Sequence, residues 1–145
     1  ESADAAGLMP QVPMYTLGRD YSPPGVLAGA MRYHGVAPIV SSLFREKYVE
    51  AVAHGQIESY SAGLMFTRAE GIVLSPHAMY TVKEVIEQAL RCKASGAEDT
   101  ILFTVTPAVS TESSPYDTLL DGVMHDEQPE EASLKKSLGR FIGRG

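Results

Sequence analysis

The sequence predicts an α/β fold, a partial three-layer α/β domain, and three observations carry that expectation. Residues 100–105 read T-I-L-F-T-V, an apolar run without alternation, as in strands covered on both faces. Residues 72–74, I-V-L, make a second and shorter run of the same kind. Between the two runs, apolar residues recur at helical spacing over 76–95. A helix set between short buried strands implies layers of both kinds.

The elements follow in chain order. Residues 1–25 hold Pro10, Pro13, Pro23 and Pro24 with Gly7, Gly18 and Gly25. That many helix breakers predicts an extended arm lying on another surface. Val26, Leu27, Ala30 and Met31 fall at helical spacing ahead of Gly35, which predicts a short helix with a glycine stop. Ser42 is expected to cap a second helix with Phe44, Tyr48, Val49 and Val52 inward, closed by Gly55. Its wet face would carry Arg45, Glu46, Lys47 and Glu50. A third helix is expected over 57–69, with Tyr60, Leu64 and Met65 inward and Gly71 as its stop. After the 72–74 strand comes the clearest start signal in the chain. Ser75 can take up free backbone N–H groups, and Pro76 suits the first helical position, where no N–H is needed. Val82, Val85, Ile86, Ala89 and Leu90 form the buried stripe of this helix, Lys83, Glu84, Glu87 and Arg91 its wet face, and Gly96 its end. Beyond Pro107, a polar loop holds Ser110, Thr111, Ser113, Ser114 and Pro115. A brief helical piece is expected over 116–124, an exposed acidic stretch over 126–131, and a tail helix over 132–142. Leu134, Leu138 and Phe141 would share one side of that tail, opposite Lys135, Lys136 and Arg140. Three regions result: an arm (1–25), an α/β region (26–109), and a polar loop with an amphipathic tail (110–145).

Composition removes several function classes. With a net charge of −6 over 145 residues, the chain repels a phosphate backbone on average, so no nucleic-acid partner is expected. No apolar run approaches the roughly 18 residues of a membrane span, which predicts a chain that is not transmembrane. The single cysteine, Cys92, excludes an internal disulfide, and no Cys or His group has zinc-ligand spacing, so no metal site is expected. Cys92 sits beside the apolar stripe and reads as a buried, inert thiol. His54 and His125 have no ligand or carboxylate partner at short spacing and read as surface histidines, while His34 is expected to order a turn. Ser110, Ser113 and Ser114 lack a G-x-S-x-G setting. No residue is assigned a catalytic role.

Three stretches together carry a resemblance: 15–24 (YTLGRDYSPP), 28–38 (AGAMRYHGVAP) and 67–73 (TRAEGIV). They resemble the C-terminal third of tryptophan synthase beta chains of the second type, in order and with matching spacing from about Tyr15 to Val105. The resemblance implies a fold-type II pyridoxal-phosphate scaffold, whose enzymes join indole to a serine-derived aminoacrylate. That chemistry uses a Schiff-base lysine, a glycine-rich phosphate loop and a group facing the pyridine nitrogen. In the family the first two lie upstream of the matched segment. The five lysines here, Lys47, Lys83, Lys93, Lys135 and Lys136, all stand in charged helical or tail contexts, and no two glycines are adjacent. The matched pocket positions also differ. Where the family reads P-A-P-E-S after E-G-I-V, this chain reads L-S-P-H-A over 74–78, so His77 stands in place of the glutamate. Where the family reads N-L-S-G-x-G, this chain reads T-V-T-P-A-V over 104–109. Thr106 keeps a hydroxyl there, but Pro107 and Val109 replace glycines that let the backbone approach the ring. His77 and Thr106 are thus vestigial pocket positions, and no bound cofactor is expected although the family cofactor is pyridoxal phosphate. The expected role is a non-catalytic structural or accessory subunit among the protein subunits of a larger assembly. The alternative is the C-terminal fragment of a beta-type lyase completed by another chain. A plastid and the cytoplasm both remain open as its compartment.

Overall fold

The computed structural model describes residues 13–18, 20–108 and 114–142. Residues 1–12 of the arm, Val109, and Ser110, Thr111 and Ser113 of the expected polar loop lie outside them. The described residues fall into two compact units, one drawn from 1–25, 32–51 and 128–145 and the other from 26–31 and 52–127.

In the first unit, Thr16 and Gly35 form an isolated antiparallel bridge. The Leu17 N–H donates to the His34 carbonyl (2.6 Å), and the Val36 N–H donates to the Tyr15 carbonyl (2.9 Å). The described part of the arm, expected to be extended and to lie on another surface, makes these hydrogen bonds within the chain. Gly35 eases that approach, since a Cβ there would stand 3.1 Å from the Tyr15 carbonyl oxygen and would make the end of the Met14 side chain, 2.6 Å away at Cε, swing aside. Helix α1 spans Pro38–Arg45. It starts four residues ahead of the expected Ser42 cap, because Pro38 at the first helical position has a φ already suited to a helix. It ends early because Lys47, just beyond the Glu46 cap, takes a left-handed φ of 62°. Phe44, Tyr48, Val49 and Val52 therefore make no buried stripe, and all four are exposed. The buried face of α1 is Ser41, whose hydroxyl donates to the Val36 carbonyl (3.2 Å) and accepts the Tyr15 N–H (3.1 Å). The tail helix appears as α5, Glu131–Ile142, and its buried Ser137 hydroxyl donates to the Leu17 carbonyl (2.8 Å).

The second unit is built on helix α2, Gln56–Glu70, packed against helix α3, Pro76–Ser95. The expected helix over 26–31 shrinks to a 3-10 turn, Gly29–Met31. Both long helices end where glycine was expected to stop them, with Gly71 and Gly96 each at a φ of 71°. Tyr60, Ala62, Leu74, Ala78, Met79, Val82 and Met124 make the core, with Phe66, Ile86, Phe103 and Tyr116 packed around it. Gly63 lets the two helices meet: a Cβ on it would stand 2.5 Å from Met79 Cγ. The rest of the expected α3 stripe fades toward the C-terminus, where Leu90 is exposed, as Met65 is on α2.

The start of α2 is secured from far along the chain. Asp126 Oδ1 accepts the N–H groups of Gln56 (2.6 Å) and Ile57 (3.1 Å), and the Glu58 carboxylate accepts the Gly55 N–H (2.8 Å). Backbone donors that no helical carbonyl can reach are thereby satisfied. Buried Gln56 adds two more links, accepting the Leu27 N–H and donating to the His125 carbonyl. Asp126 thus acts as a cap within a stretch expected to be merely solvated.

Neither expected strand forms as a regular strand among the described residues. The 72–74 run contributes one antiparallel bridge, between Leu74 and Pro107. Ile72 and Val73 are exposed, and Leu102 in the 100–105 run is 96% exposed. The sequence pattern describes a strand with neighbours on both faces, and the described residues supply only one of those faces. Helix α4, Ser114–Leu120, covers part of the region expected to be helical over 116–124.

Candidate functional site

The two segments that carry the expected pocket positions, 74–78 and 104–108, meet through their main chains. The Ser75 N–H donates to the Thr106 carbonyl (2.9 Å), and the Ala108 N–H donates to the Val73 carbonyl (2.8 Å), with Leu74 facing Pro107 between them. His77 lies in the first turn of α3 and is exposed, its Nε2 3.2 Å from the Ser75 hydroxyl. Ser75 caps α3 by backbone conformation alone, since its side chain bonds no backbone N–H of the helix. Thr106 is exposed. The junction thus offers an imidazole and two hydroxyls, with no carboxylate among residues 74–78 or 104–108.

On the far side of this junction stands Tyr116 of α4, which sequence reasoning assigned no role. Its hydroxyl donates to the Leu74 carbonyl (2.7 Å) and accepts the Leu74 N–H (3.0 Å). Its ring stacks edge-on against Tyr60, with centroids 6.4 Å apart.

The main concentration of charge lies elsewhere, between the start of α2 and the middle of α3. His54 Nε2 is 2.8 Å from Glu84 Oε2, and His54 Nδ1 is 3.7 Å from Glu58 Oε1. His54 was expected at the surface, yet its side chain is only 14% exposed. Its partner Glu84 lies 30 residues away, beyond the reach of local spacing arguments, whereas Glu58, four residues on, is a carboxylate partner at short spacing and corrects the expectation that His54 has none. Lys83 pairs with Glu58 (3.3 Å) and Glu87 (2.5 Å), and Arg91 pairs with Glu84 (2.6 Å). The Gly55 N–H, followed by Lys83, holds the Glu58 carboxyl below its ordinary value, and His54 with Gln88 does the same for Glu84. Hydrogen bonds to Glu87 and Glu58 push the Lys83 ammonium up.

A carboxyl depressed on folding stabilises the native state at pH above its unfolded value, near 4.5, and loses that contribution as the pH falls through the folded value. Denaturant titrations across the acid range should therefore show stability level above this point and falling below it. Glu84→Gln should flatten part of that fall; an unchanged acid limb would show that the network contributes nothing to folding.

The other sequence candidates lie apart from the junction. His34 Nδ1 bonds the Gly18 carbonyl (2.9 Å), where Gly18 takes a left-handed φ of 79°, so it orders a turn as expected. His125 is exposed beside Glu127, and Cys92 is partly exposed rather than buried, with its Sγ 3.7 Å from Asp99 Oδ2. No group of three His, Cys, Asp or Glu side chains among the described residues is arranged to hold a metal ion. No helix among them is long and apolar enough to cross a membrane.

A Schiff-base lysine needs a readily lost proton, which burial away from anions provides. Lys83 stands in the opposite setting, between two carboxylates, and Lys135 is exposed and paired with Glu131 (2.7 Å). Lys47, Lys93 and Lys136 are exposed. The lysines described do not fit pyridoxal phosphate, and no residue of the junction compensates for that.

Sequence relationships assign the segment to the α/β class, although its described residues are mostly helical. More narrowly, the chain is related along most of its length to the C-terminal part of tryptophan synthase beta chains. It is 42% identical over 123 residues to tryptophan synthase beta chain 2 of Aquifex aeolicus, covering 85% of this chain. It is 41% identical over 128 residues to beta chain 2 of Aeropyrum pernix and 39% identical over 131 to the beta chain of Pyrococcus horikoshii. In each case the match spans 28% of the relative's length. No family model matches the chain.

Proposed function

We propose that the chain is a non-catalytic structural part of a tryptophan synthase beta-like, three-layer α/β domain, held with other protein subunits in a larger assembly. The observation that carries this reading is the make-up of the Leu74–Pro107 junction. The family's glutamate is replaced by His77, a proline faces Leu74 where glycine would let the backbone approach a ring, and Thr106 alone keeps a pocket hydroxyl. The scaffold features are kept: Pro76 opens α3, Gly71 and Gly96 close their helices, and Gly63 sits between them. On this reading 26–109 is the domain remnant, with 1–25 as its arm and 110–145 as its loop and tail. His77 and Thr106 then hold no cofactor.

A second reading, the C-terminal fragment of a beta-type lyase completed by another chain, draws support from identity as high as 42% to an enzyme chain. Cofactor binding separates the two. The purified chain mixed with pyridoxal phosphate is expected to give no stoichiometric aldimine and no borohydride-trapped adduct on a defined lysine. A specific trapped adduct, or indole-to-tryptophan turnover that is lost on His77→Ala, would replace the structural reading with the lyase.

A further inference from the structure

We infer that Gln56 is the pin of a conformational clasp: the segment at Leu27, the start of α2 and residues 125–126 fasten or release as one, and so hold together three of the places where the chain passes between its two units.

Each arm of the clasp reaches the pin through a different group. Gln56 Oε1 accepts the Leu27 N–H (2.7 Å), and Gln56 Nε2 donates to the His125 carbonyl (2.9 Å), so one side-chain amide spends both its ends on main chain 29 and 69 residues away. Asp126 Oδ1 accepts the main-chain N–H of the same Gln56 (2.6 Å) and that of Ile57 (3.1 Å). The glycine at 55 gives the carboxylate room, since a Cβ there would stand 3.0 Å from Asp126 Oδ2.

Burial makes the three arms open together. Gln56 is 7% exposed, and a buried amide that keeps one partner and loses the other holds an unmet donor or acceptor. That penalty opposes partial opening, so the fastened and the released states are favoured over any mixture. The arms are themselves anchored in the second unit. Leu27 is followed by buried Ala28, and His125 is preceded by core residue Met124, whose N–H donates to the Thr118 carbonyl of α4 (3.1 Å).

The position of the clasp along the chain gives it its effect. The chain passes between its two units after residues 25, 31, 51 and 127. Leu27 stands just beyond the first passage, Gln56 just beyond the third and Asp126 just ahead of the fourth. Separate ties would let each passage fray by itself; a shared pin sets their freedom in a single equilibrium. The inference holds under either reading of function, since neither uses residues 27, 56 or 126.

Native-state hydrogen exchange on the full chain tests it. Asp126→Ala removes no group bonded to Leu27, yet it is expected to speed exchange at the Leu27 amide by at least about 5-fold more than at the slowest amides of α3, which report global unfolding. Gln56→Ala should speed Leu27 at least as much. The doubly substituted chain should speed it no further than Gln56→Ala alone, because the link from Asp126 to Leu27 is already cut. Far-UV circular dichroism checks that the helices persist, and Asp126→Asn, which keeps an oxygen acceptor, gives a milder form of the same pattern if Asp126→Ala does not fold. Acceleration confined to Gln56 and Ile57 with Leu27 unchanged, a Leu27 rate that only tracks the slowest α3 amides, or additive effects of the two substitutions on Leu27 would each overturn the inference.

Discussion

Tyr60→Ala is expected to cost about 3–5 kcal/mol of folding stability, the range for removing a large aromatic side chain from a packed interior. Tyr60 is 0% exposed in the middle of α2 and is stacked edge-on against both Tyr80 (6.5 Å) and Tyr116 (6.4 Å). Its loss leaves a cavity where α2, α3 and α4 converge, and dispersion contacts vanish on three sides. A small domain commonly has only about 5–15 kcal/mol in total, so the variant should approach the limit of folding. Tyr116→Phe is the companion measurement, because it keeps a ring against Tyr60 and removes only the hydroxyl bonded to Leu74. About 1–2 kcal/mol is expected there. If urea titrations gave the two variants equal losses, ring packing would not be the main contribution at this corner.

Gly63→Val should destabilise by about 1–3 kcal/mol through overpacking, and by more if the helices cannot separate. A Cβ at this position would lie 2.5 Å from Met79 Cγ and 3.0 Å from Met79 Cβ, atoms near the α3 backbone that have little freedom to withdraw. Gly63→Ala meets the same contact but regains roughly 1 kcal/mol of helix propensity, so its net loss should be smaller. Adding Met79→Ala to Gly63→Val should recover part of the loss in a double-mutant cycle. Strict additivity of the two substitutions would mean that the helices do not meet at this point.

How far the sequence revealed the fold depended on whether a signal was local. Ser75, Pro76 and Gly96 bracket α3 to the residue, because the signals for a helix start and a helix stop act within one turn. Gly71 ended α2 for the same reason. The helix expected from Ser42 failed because two local signals competed, and the proline at 38 prevailed over the serine four residues on. The apolar runs at 72–74 and 100–105 were read as buried strands from composition alone, which does not say what covers them. Within the described residues one face of each run has no neighbour, and Leu102 is left in solvent. At the candidate site, the expectation placed on His77, Thr106 and Pro107 rested on their departure from a recognisable motif. Tyr116, Asp126 and the His54–Glu84 pair were not legible, since their partners lie 42, 70 and 30 residues away and no periodicity encodes such distances.

The Asp126 cap has a consequence for the order of events during synthesis. The carboxylate that completes the start of α2 is translated 70 residues after the N–H group it accepts. At about 5–20 residues per second, that interval is roughly 4 to 14 s. Once Ser95 has been added, 31 residues before Asp126, α2 and α3 are both made, but the first turn of α2 lacks its acceptor and Met124, part of their shared core, has not yet been added. Over that last stretch the nascent chain therefore carries an apolar helical pair without its final seal.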